Sequence, residues 1–469
     1  MIDTRKTTRS ALALGLACTL GPAVVMVACT DDGAPRAGDA ETTTRDEAGT
    51  ATSPDAAPAV DVPDASDDGS WDAATPLVVC KTGVCAVELA AGAEHLCARM
   101  SDGTVRCWGL DSQYSQRFTG SLGRGGASID GGPGPGLAFA PAPVVDLTGV
   151  IQISARGYTS CVTLEDGSVR CWGSNQNGEL GLARDPAVFD DDGHPTPSIV
   201  ALGGKARRVD VTGSAWRAPH ACAVLESGDV ECWGMNTDMA LGRDAGEGKI
   251  VGPGKTGLSH VVRTAASIAM TEDGKLWSWG TPYLLGRPTS LASASPVAAP
   301  IATLPSVTGF DADDNACAVV DGELYCWGRN NGYSLGTGDS RWRTLPSFIP
   351  TMRAPGAHVQ QIYTGRDGAC IRLTDGALQC CGSNGLGELG LGVDGGIALK
   401  QASKFTAVTG LEGRKAVQVV RSYANGNATA CALLEDGTVM CWGSNRSGQL
   451  GTGTSDAAPH PTPVIVPLH

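Results

Sequence analysis

The sequence predicts an all-β fold, a seven-bladed β-propeller, from two patterns that recur along the chain. The first pattern is a hairpin: a strand that begins near a cysteine, a tight Asp-Gly or Ser-Gly turn, and a strand that ends in Trp-Gly or a near equivalent. Its seven copies start 46 to 64 residues apart and occupy residues 97–109, 161–173, 222–234, 268–280, 317–328, 370–382 and 431–443. Repeats of about 50 residues with several strands each are typical of propellers, in which a blade buries its apolar face only against its neighbours.

The second pattern follows each hairpin and is a polar turn that closes on Leu-Gly, as in 174–181 and 444–451. All seven copies have it, at 122/123, 180/181, 241/242, 285/286, 335/336, 389/390 and 450/451. A Pro-Val-type segment then leads into the next repeat. The last of these segments, 463–467, is expected to pair beside the strands of the first blade and so to close the ring.

Together the two patterns read x-Asp-Gly-x-Val-x-Cys-Trp-Gly-x-Asn-x-x-Gly-Glu/Gln-Leu-Gly, which resembles the repeat of the regulator of chromosome condensation family, the RCC1-like seven-bladed propellers. The resemblance covers about residues 76–469. It implies that the tryptophan of each hairpin packs between blades as framework, at Trp108, Trp172, Trp233, Trp279, Trp327 and Trp442. It implies little about function, because the family includes guanine-nucleotide exchange factors and protein inhibitors as well as many propellers of unknown role.

The cysteines of the hairpins are placed to form cross-strand disulfides. In the first hairpin a three-residue turn around Asp102 sets Cys97 opposite Cys107 at a non-hydrogen-bonded position, where Cα atoms lie about 4.5 Å apart, within disulfide range. The fourth hairpin has Ile268 and Ser278 instead, and the joint loss of both partners favours pairing over buried reduced thiols. Cys381, which replaces a tryptophan, is left over. The predicted pairs are Cys97 with Cys107, Cys161 with Cys171, Cys222 with Cys232, Cys317 with Cys326, Cys370 with Cys380, Cys431 with Cys441, and Cys80 with Cys85.

The N-terminal part of the chain predicts export. Three basic residues precede an apolar run, 11–28, and Cys29 follows it, the pattern of a bacterial lipoprotein signal that is cleaved before an acylated cysteine. An ordinary secretory signal and an uncleaved anchor are the alternatives, and disulfides agree with an oxidising compartment in each case. Residues 29–75 are rich in Ala, Asp, Thr and Pro and are expected to be a disordered acidic linker. The predicted domains are therefore 1–28, 29–75 and 76–469.

One face of the propeller is the predicted recognition surface. With strands A to D in each blade and the Asp-Gly turns assigned to C–D, the B–C loops and the D–A crossovers share the other face. These loops differ in every blade and carry the insertions, which is typical of binding surfaces on rigid scaffolds, although tolerated variation is an alternative. Aromatic and arginine side chains usually dominate interfaces. The candidates are Tyr114, Phe118, Tyr158, Trp216, Arg217, Arg366 and Tyr423.

No catalytic, cofactor or metal site is predicted. Asp190–Asp192 suits calcium, but Asp-rich turns more often cap loops, and His95 and His220 recur at one repeat position, which favours a bracing role. The propeller lacks a basic patch for nucleic acid. We therefore expect a monomeric, non-enzymatic, extracytoplasmic binding module that is lipid-anchored and recognises a protein or a cell-surface glycan. A polysaccharide lyase or hydrolase with acids at the channel mouth, and a purely structural envelope protein, are the alternatives.

Overall fold

The computed structural model describes residues 78–468 except 82, 112–118, 126–136, 214–218, 289–292, 393–398, 412 and 425. These residues form seven four-stranded antiparallel sheets, the blades of a propeller. The predicted all-β propeller is confirmed. The predicted signal peptide, the linker and Cys29 lie outside the described residues. Within the described part of the chain, no helix is long and apolar enough to cross a membrane.

Each blade is one continuous stretch of chain, and its strands pair in chain order. The first three blades contain β1 (Ala86–Ala91), β2 (His95–Met100), β3 (Val105–Leu110), β4 (Leu137–Pro143); β5 (Val150–Arg156), β6 (Thr159–Leu164), β7 (Val169–Ser174), β8 (Gly193–Ile199); and β9 (Ala206–Thr212), β10 (His220–Leu225), β11 (Val230–Met235), β12 (Ile250–Lys255). The fourth and fifth contain β13 (Val261–Ala265), β14 (Ile268–Thr271), β15 (Leu276–Gly280), β16 (Ser295–Pro300); and β17 (Gly309–Ala312), β18 (Asn315–Val320), β19 (Glu323–Gly328), β20 (Arg343–Ile349). The last two contain β21 (Val359–Gly365), β22 (Gly368–Leu373), β23 (Leu378–Ser383), β24 (Gln401–Ala407); and β25 (Ala416–Ala424), β26 (Asn427–Leu434), β27 (Val439–Gly443), β28 (His460–Ile465). Short 3-10 helices occupy Thr237–Met239, Pro282–Leu284 and Asn331–Tyr333.

The first strand of each blade is innermost, and these strands together line a central channel. The repeated hairpin forms the second and third strands, and the Pro-Val segment after it forms the fourth, outermost strand. The assignment of the Asp-Gly turns to the last two strands is therefore wrong by one strand. The prediction about faces is unaffected, because the loop between the first and second strands and the Leu-Gly crossover still leave the sheet at the same end. We call this end the loop face.

Ring closure differs from the prediction. The segment 463–467 does not join the first blade, because β28 pairs with β27 in register, with Val464 opposite Cys441, as Ala142 in β4 lies opposite Cys107. Every Pro-Val segment completes the blade of its own hairpin, and the last one is no exception. The seventh and first blades instead meet through side chains and through the N-terminal segment, in which the Val79 amide donates to the Glu435 carbonyl at 2.7 Å.

The two sequence patterns meet at each junction between blades. The indole N–H of Trp172 donates to the carbonyl of Ser121, the residue before Leu-Gly in the preceding blade, at 3.0 Å. Gly123 of that Leu-Gly pair has a φ of +67°, and a Cβ on it would lie 2.9 Å from the Trp172 Nε1. Glycine is therefore required both for its backbone conformation and for the close approach of the indole. The other five hairpin tryptophans make the same bond and are equally buried.

The sixth blade makes this junction without a tryptophan. Cys381 is fully buried, and its Sγ lies 3.6 Å from the Ser334 carbonyl, which is the acceptor position of the missing indole. Phe405, also buried, fills the vacated volume, since a Cβ on Gly336 would lie 2.6 Å from its ring. Burial raises the pKa of the Cys381 thiol to about 12.

The predicted disulfides are all present. The six hairpin bonds share a Cα–Cα distance of 4.1 Å and join Cys97 with Cys107, Cys161 with Cys171, Cys222 with Cys232, Cys317 with Cys326, Cys370 with Cys380, and Cys431 with Cys441. The bond between Cys80 and Cys85 spans 5.7 Å between Cα atoms. The predicted turn register is also confirmed, because the Met100 amide donates to the Thr104 carbonyl at 2.8 Å. Each hairpin bond joins the second and third strands of one blade, so it holds the hairpin and leaves the loop face to vary.

Candidate functional site

Polar side chains on the innermost strands hold the channel wall together. Gln418 of the seventh blade accepts the Leu89 amide of the first blade at 2.7 Å and donates to its carbonyl at 2.9 Å. Gln152 makes the same pair of bonds to Val209 of the third blade, at 3.0 and 2.9 Å. The amides would otherwise be buried donors without acceptors. The sequence analysis did not predict these bonds. The two glutamines nevertheless occupy equivalent positions, because each lies two residues before the residue that pairs with the first cysteine of its hairpin.

At the loop-face end of the channel, residues of four blades meet around Arg156. The guanidinium of Arg156, at the end of β5, donates to the Tyr363 hydroxyl at 2.8 Å and to the Thr364 carbonyl at 3.2 Å, and lies 4.7 Å from the centroid of the Tyr363 ring. Carboxylate oxygens of Asp311 and Asp313 lie 3.6 Å from it. The Tyr363 hydroxyl donates in turn to the carbonyl of Arg421.

Burial and charge set the protonation of this cluster. Burial disfavours the charged form of Arg156, but Tyr363, Asp313 and Asp311 outweigh it and raise the Arg156 pKa. Burial raises the pKa of Tyr363 to about 12. Arg156 is therefore a cation and Tyr363 a neutral hydrogen-bond donor at neutral pH. Both aspartates lie within ion-pair distance of Arg156, and the Asp311 carboxylate also accepts the amide and the hydroxyl of Thr364 at 2.7 and 3.0 Å.

A cavity of about 30 Å³ opens beside this cluster on the loop face. Its charged and aromatic lining consists of Arg156, Asp313, Tyr363, Arg366, Asp367, Arg421 and Tyr423. Two of the predicted binding residues, Arg366 and Tyr423, are among them. Burial, followed by a hydrogen bond to Asp367, raises the pKa of Tyr423 to about 12, so its hydroxyl is a donor to that carboxylate.

The other predicted binding residues lie elsewhere. Tyr158 packs against Ala93 and Ala424 at the rim of the same face, but it is only 9% exposed and is hydrogen-bonded to the buried Glu94. Burial raises the pKa of Glu94. Tyr158 thus contributes both to the surface of the loop face and to the packing beneath it. The remaining four, Tyr114, Phe118, Trp216 and Arg217, lie outside the described residues.

Arg421 is the lining residue that sequence reasoning missed. Its side chain is 5% exposed, and its Nη1 has no hydrogen-bond partner among the described residues. Gly368 makes room for it, because a Cβ there would lie 1.8 Å from the Arg421 Nη1. Nothing in the sequence distinguishes Arg421 from other arginines, since its environment is supplied by a neighbouring blade.

The histidines and the aspartate considered above as catalytic or metal-binding residues stabilise their loops through hydrogen bonds instead. His95 Nε2 is 2.8 Å from the Ser160 Oγ of the next blade, and burial lowers the His95 pKa to about 4. His220 Nε2 is 2.8 Å from the Thr212 Oγ1. The Asp190 carboxylate bonds to His194 at 2.8 Å and to Asn175 at 3.2 Å, within its own loop. Among the described residues, no group of three His, Cys, Asp or Glu side chains is arranged to hold a metal ion.

Comparisons with known proteins agree with the fold. Residues 86–116, 150–179, 321–371 and 424–449 match models of the regulator of chromosome condensation (RCC1) repeat. RUG3, a mitochondrial RCC1 domain-containing protein of Arabidopsis thaliana, is 27% identical over 327 residues, which are 64% of this chain and 66% of RUG3. The ultraviolet-B receptor UVR8 of the same plant is 27% identical over 378 residues, which are 78% of this chain and 79% of UVR8.

Among solved structures, that of human WBSCR16 superposes with a TM-score of 0.57 at 20% identity, covering 74% of this chain and 87% of WBSCR16. This similarity supports the propeller fold. The matched repeats fall in the first, second, fifth, sixth and seventh blades, on the hairpins and turns described above. The chain is therefore similar to RCC1 repeat proteins over these five blades.

Proposed function

We propose that this protein is a non-enzymatic binding module that recognises a partner protein through its loop face. The observation that carries the proposal is the contrast between the two parts of each blade. The hairpins share one pattern and six of the seven are cross-linked, whereas the loops at one end differ in every blade and surround a cavity lined by arginine, aspartate and tyrosine. Loops of this kind on a rigid frame are where binding residues usually occur.

The relatives support a binding role in general terms. One of them, UVR8, is named as a receptor, and it matches most of this chain. A catalytic role for the channel mouth is not part of the proposal, because Asp311 and Asp313 are both held by Arg156. We further propose export and a lipid anchor on Cys29. The seven disulfides are consistent with an oxidising compartment.

Capture of the partner from an envelope extract by the immobilised protein tests the binding face. We expect Trp216→Ala and Tyr423→Ala each to weaken binding by about 1 to 3 kcal/mol, or roughly five- to 150-fold in Kd, with little change in melting temperature. Tyr158→Ala is less suitable, because Tyr158 is only 9% exposed and its partner Glu94 is buried, whereas Tyr423 is half-buried. Glu226→Ala is the control, since Glu226 is exposed on an Asp-Gly-type turn at the opposite face.

Treatment of the extract identifies the kind of partner. Protease digestion should abolish capture, whereas periodate oxidation should leave it intact. Capture that resists protease and is lost with periodate would make the ligand a glycan. Capture that is lost in Glu226→Ala but retained in Trp216→Ala and Tyr423→Ala would show that the loop face is not the binding surface.

A further inference from the structure

Among the residues that the structure describes, the buried guanidinium of Arg421 has no counter-charge. No carboxylate of the described residues lies within ion-pair distance of it, its side chain is 95% buried, and its Nη1 donates to no described acceptor. Removing a charge from water without a partner is strongly unfavourable, and buried arginines are ordinarily paired. An arginine at this position therefore destabilises the unliganded protein unless something supplies an acceptor.

The carboxylates of the Arg156 cluster and of the cavity lining already have partners. Asp311 and Asp313 lie against Arg156, and Asp367 accepts the Tyr423 hydroxyl. The backbone at Arg421 is fixed, since its carbonyl accepts the Tyr363 hydroxyl that Arg156 also holds. Three guanidinium groups and two carboxylates line the cavity, so it carries an excess of one positive charge. The guanidinium is thus held in place with donors available.

The size of the cavity limits what reaches Arg421. A volume of about 30 Å³ holds roughly two water molecules, since one water requires about 10–15 Å³ by this measure. A single carboxylate group fits this space, whereas a sugar ring or a whole amino acid does not. Carboxylates are also the group that the planar guanidinium binds best, through two parallel hydrogen bonds.

We propose that Arg421 is the receptor for one carboxylate group, carried by the partner protein and inserted into the cavity at the mouth of the channel. This inference rests on the proposed function, because it names the chemistry by which the loop face recognises its partner. Gly368 contributes by leaving the space that the Arg421 guanidinium occupies. The acidic group is either a side chain or the terminal carboxylate of the partner.

The first test uses simple probes and does not require the partner. Acetate is titrated into the mature protein with 15N-labelled arginine, at constant ionic strength, and the Arg421 Nε–H signal is assigned by its loss in Arg421→Gln. We expect a saturable shift of that signal with acetate and none with acetamide or chloride. If a chain terminus is accepted, acetyl-trialanine with a free carboxylate should bind more tightly than acetyl-trialanine amide. If a side chain is accepted, acetyl-aspartate amide should bind more tightly than acetyl-asparagine amide.

The second test measures stability with and without the probe. We expect Arg421→Gln to melt at or above the temperature of the parent when no carboxylate is present, because it removes an unpaired buried charge. Acetate should raise the melting temperature of the parent but not that of Arg421→Gln. The matched control is Arg207→Gln, whose guanidinium bonds to the Leu225 and Glu226 carbonyls at the opposite face and should keep the response to acetate.

The results that would overturn this proposal differ from those that would show the loop face not to be the binding surface. The proposal is overturned if acetate leaves the Arg421 signal unchanged, or if it stabilises the parent and Arg421→Gln equally. It is also overturned if Arg421→Gln melts below the parent by the same amount with and without acetate, since Arg421 would then be structural. None of these results alters the capture measured with Trp216→Ala and Tyr423→Ala, so the two proposals fail separately.

Discussion

Glu179 and Gln449 occupy the same place in two repeats, and exchanging them isolates the cost of one buried charge. Each precedes a Leu-Gly pair, is fully buried, and accepts a backbone amide two residues earlier, that of Asn177 at 2.6 Å or of Ser447 at 2.8 Å. The backbone carbonyls of Glu179 and Gln449 also accept the indole of the next blade at 2.8 and 2.9 Å. The two sites therefore differ mainly in whether the side chain ionises.

Burial raises the pKa of Glu179 from an ordinary 4.5 to about 7. The folded protein keeps this proton up to about pH 7, whereas the unfolded chain releases it near pH 4.5. Between these values the unfolded state binds fewer protons, so the free energy of unfolding falls as the pH rises, and the contribution is constant outside the window. A pKa difference of about 2.5, at about 1.4 kcal/mol for each pH unit, makes the cost of the ionised group about 3.5 kcal/mol well above pH 7.

Glu179→Gln removes this dependence. Urea unfolding followed by tryptophan fluorescence should show the variant gaining about 2.5 kcal/mol over the parent between pH 5 and pH 8, because part of the cost is already present at pH 5. The reciprocal change, Gln449→Glu, should introduce the same dependence at the other junction. Parallel pH profiles for Glu179→Gln and the parent, or a variant that is less stable at pH 8, would refute the reasoning that burial governs this carboxyl.

Three further outcomes are expected. Non-reducing alkylation of the mature protein should modify Cys381 only after unfolding, because burial raises the pKa of its thiol to about 12. Mass analysis should then show that the other propeller cysteines are unmodified, and rapid labelling of Cys381 in the native protein would contradict its burial. Trp108→Phe should lower the free energy of unfolding by about 1 to 3 kcal/mol, since it leaves the buried Gln449 carbonyl without its donor. Trp277→Phe should lower it by less, because the Trp277 indole N–H has no partner among the described residues, and equal losses in denaturant titrations would count against the junction bond. Cys29→Ala should move the protein from the membrane to the soluble fraction or block its processing, and unchanged attachment with unchanged mature mass would reject the lipid anchor.

The parts of the fold that could be predicted depend on contacts within one hairpin. Counting outward from the turn at Asp102 is enough to set Cys97 opposite Cys107, because both lie within the same 13-residue pattern. It was harder to predict which four consecutive strands make up one blade. From the sequence the Pro-Val segment can precede or follow its hairpin, and the observed pairing of β4 with β3 and of β28 with β27 shows that it follows.

The parts that could not be predicted depend on distance around the ring. Arg156 and Tyr363 are 207 residues apart, and they meet because the innermost strands of opposite blades converge on the channel. Arg366 and Tyr423 were predicted as binding residues from the diversity of the loops, which is a local signal, and both line the cavity. The isolation of Arg421 is not a local signal, since it follows from which acids its neighbours have already bound.

In the part of the chain that the structure describes, no strand is shared between two blades, and this affects how such a chain can change over time. Because each sheet is drawn from one uninterrupted stretch, recombination between equivalent points of two repeats leaves every blade whole. The junction bond survives such an exchange, since its donor indole and its acceptor carbonyl recur in nearly every repeat. A repeat with new loops can thus enter the ring as a unit, so the loop face can be recomposed from existing parts while the frame beneath it is kept.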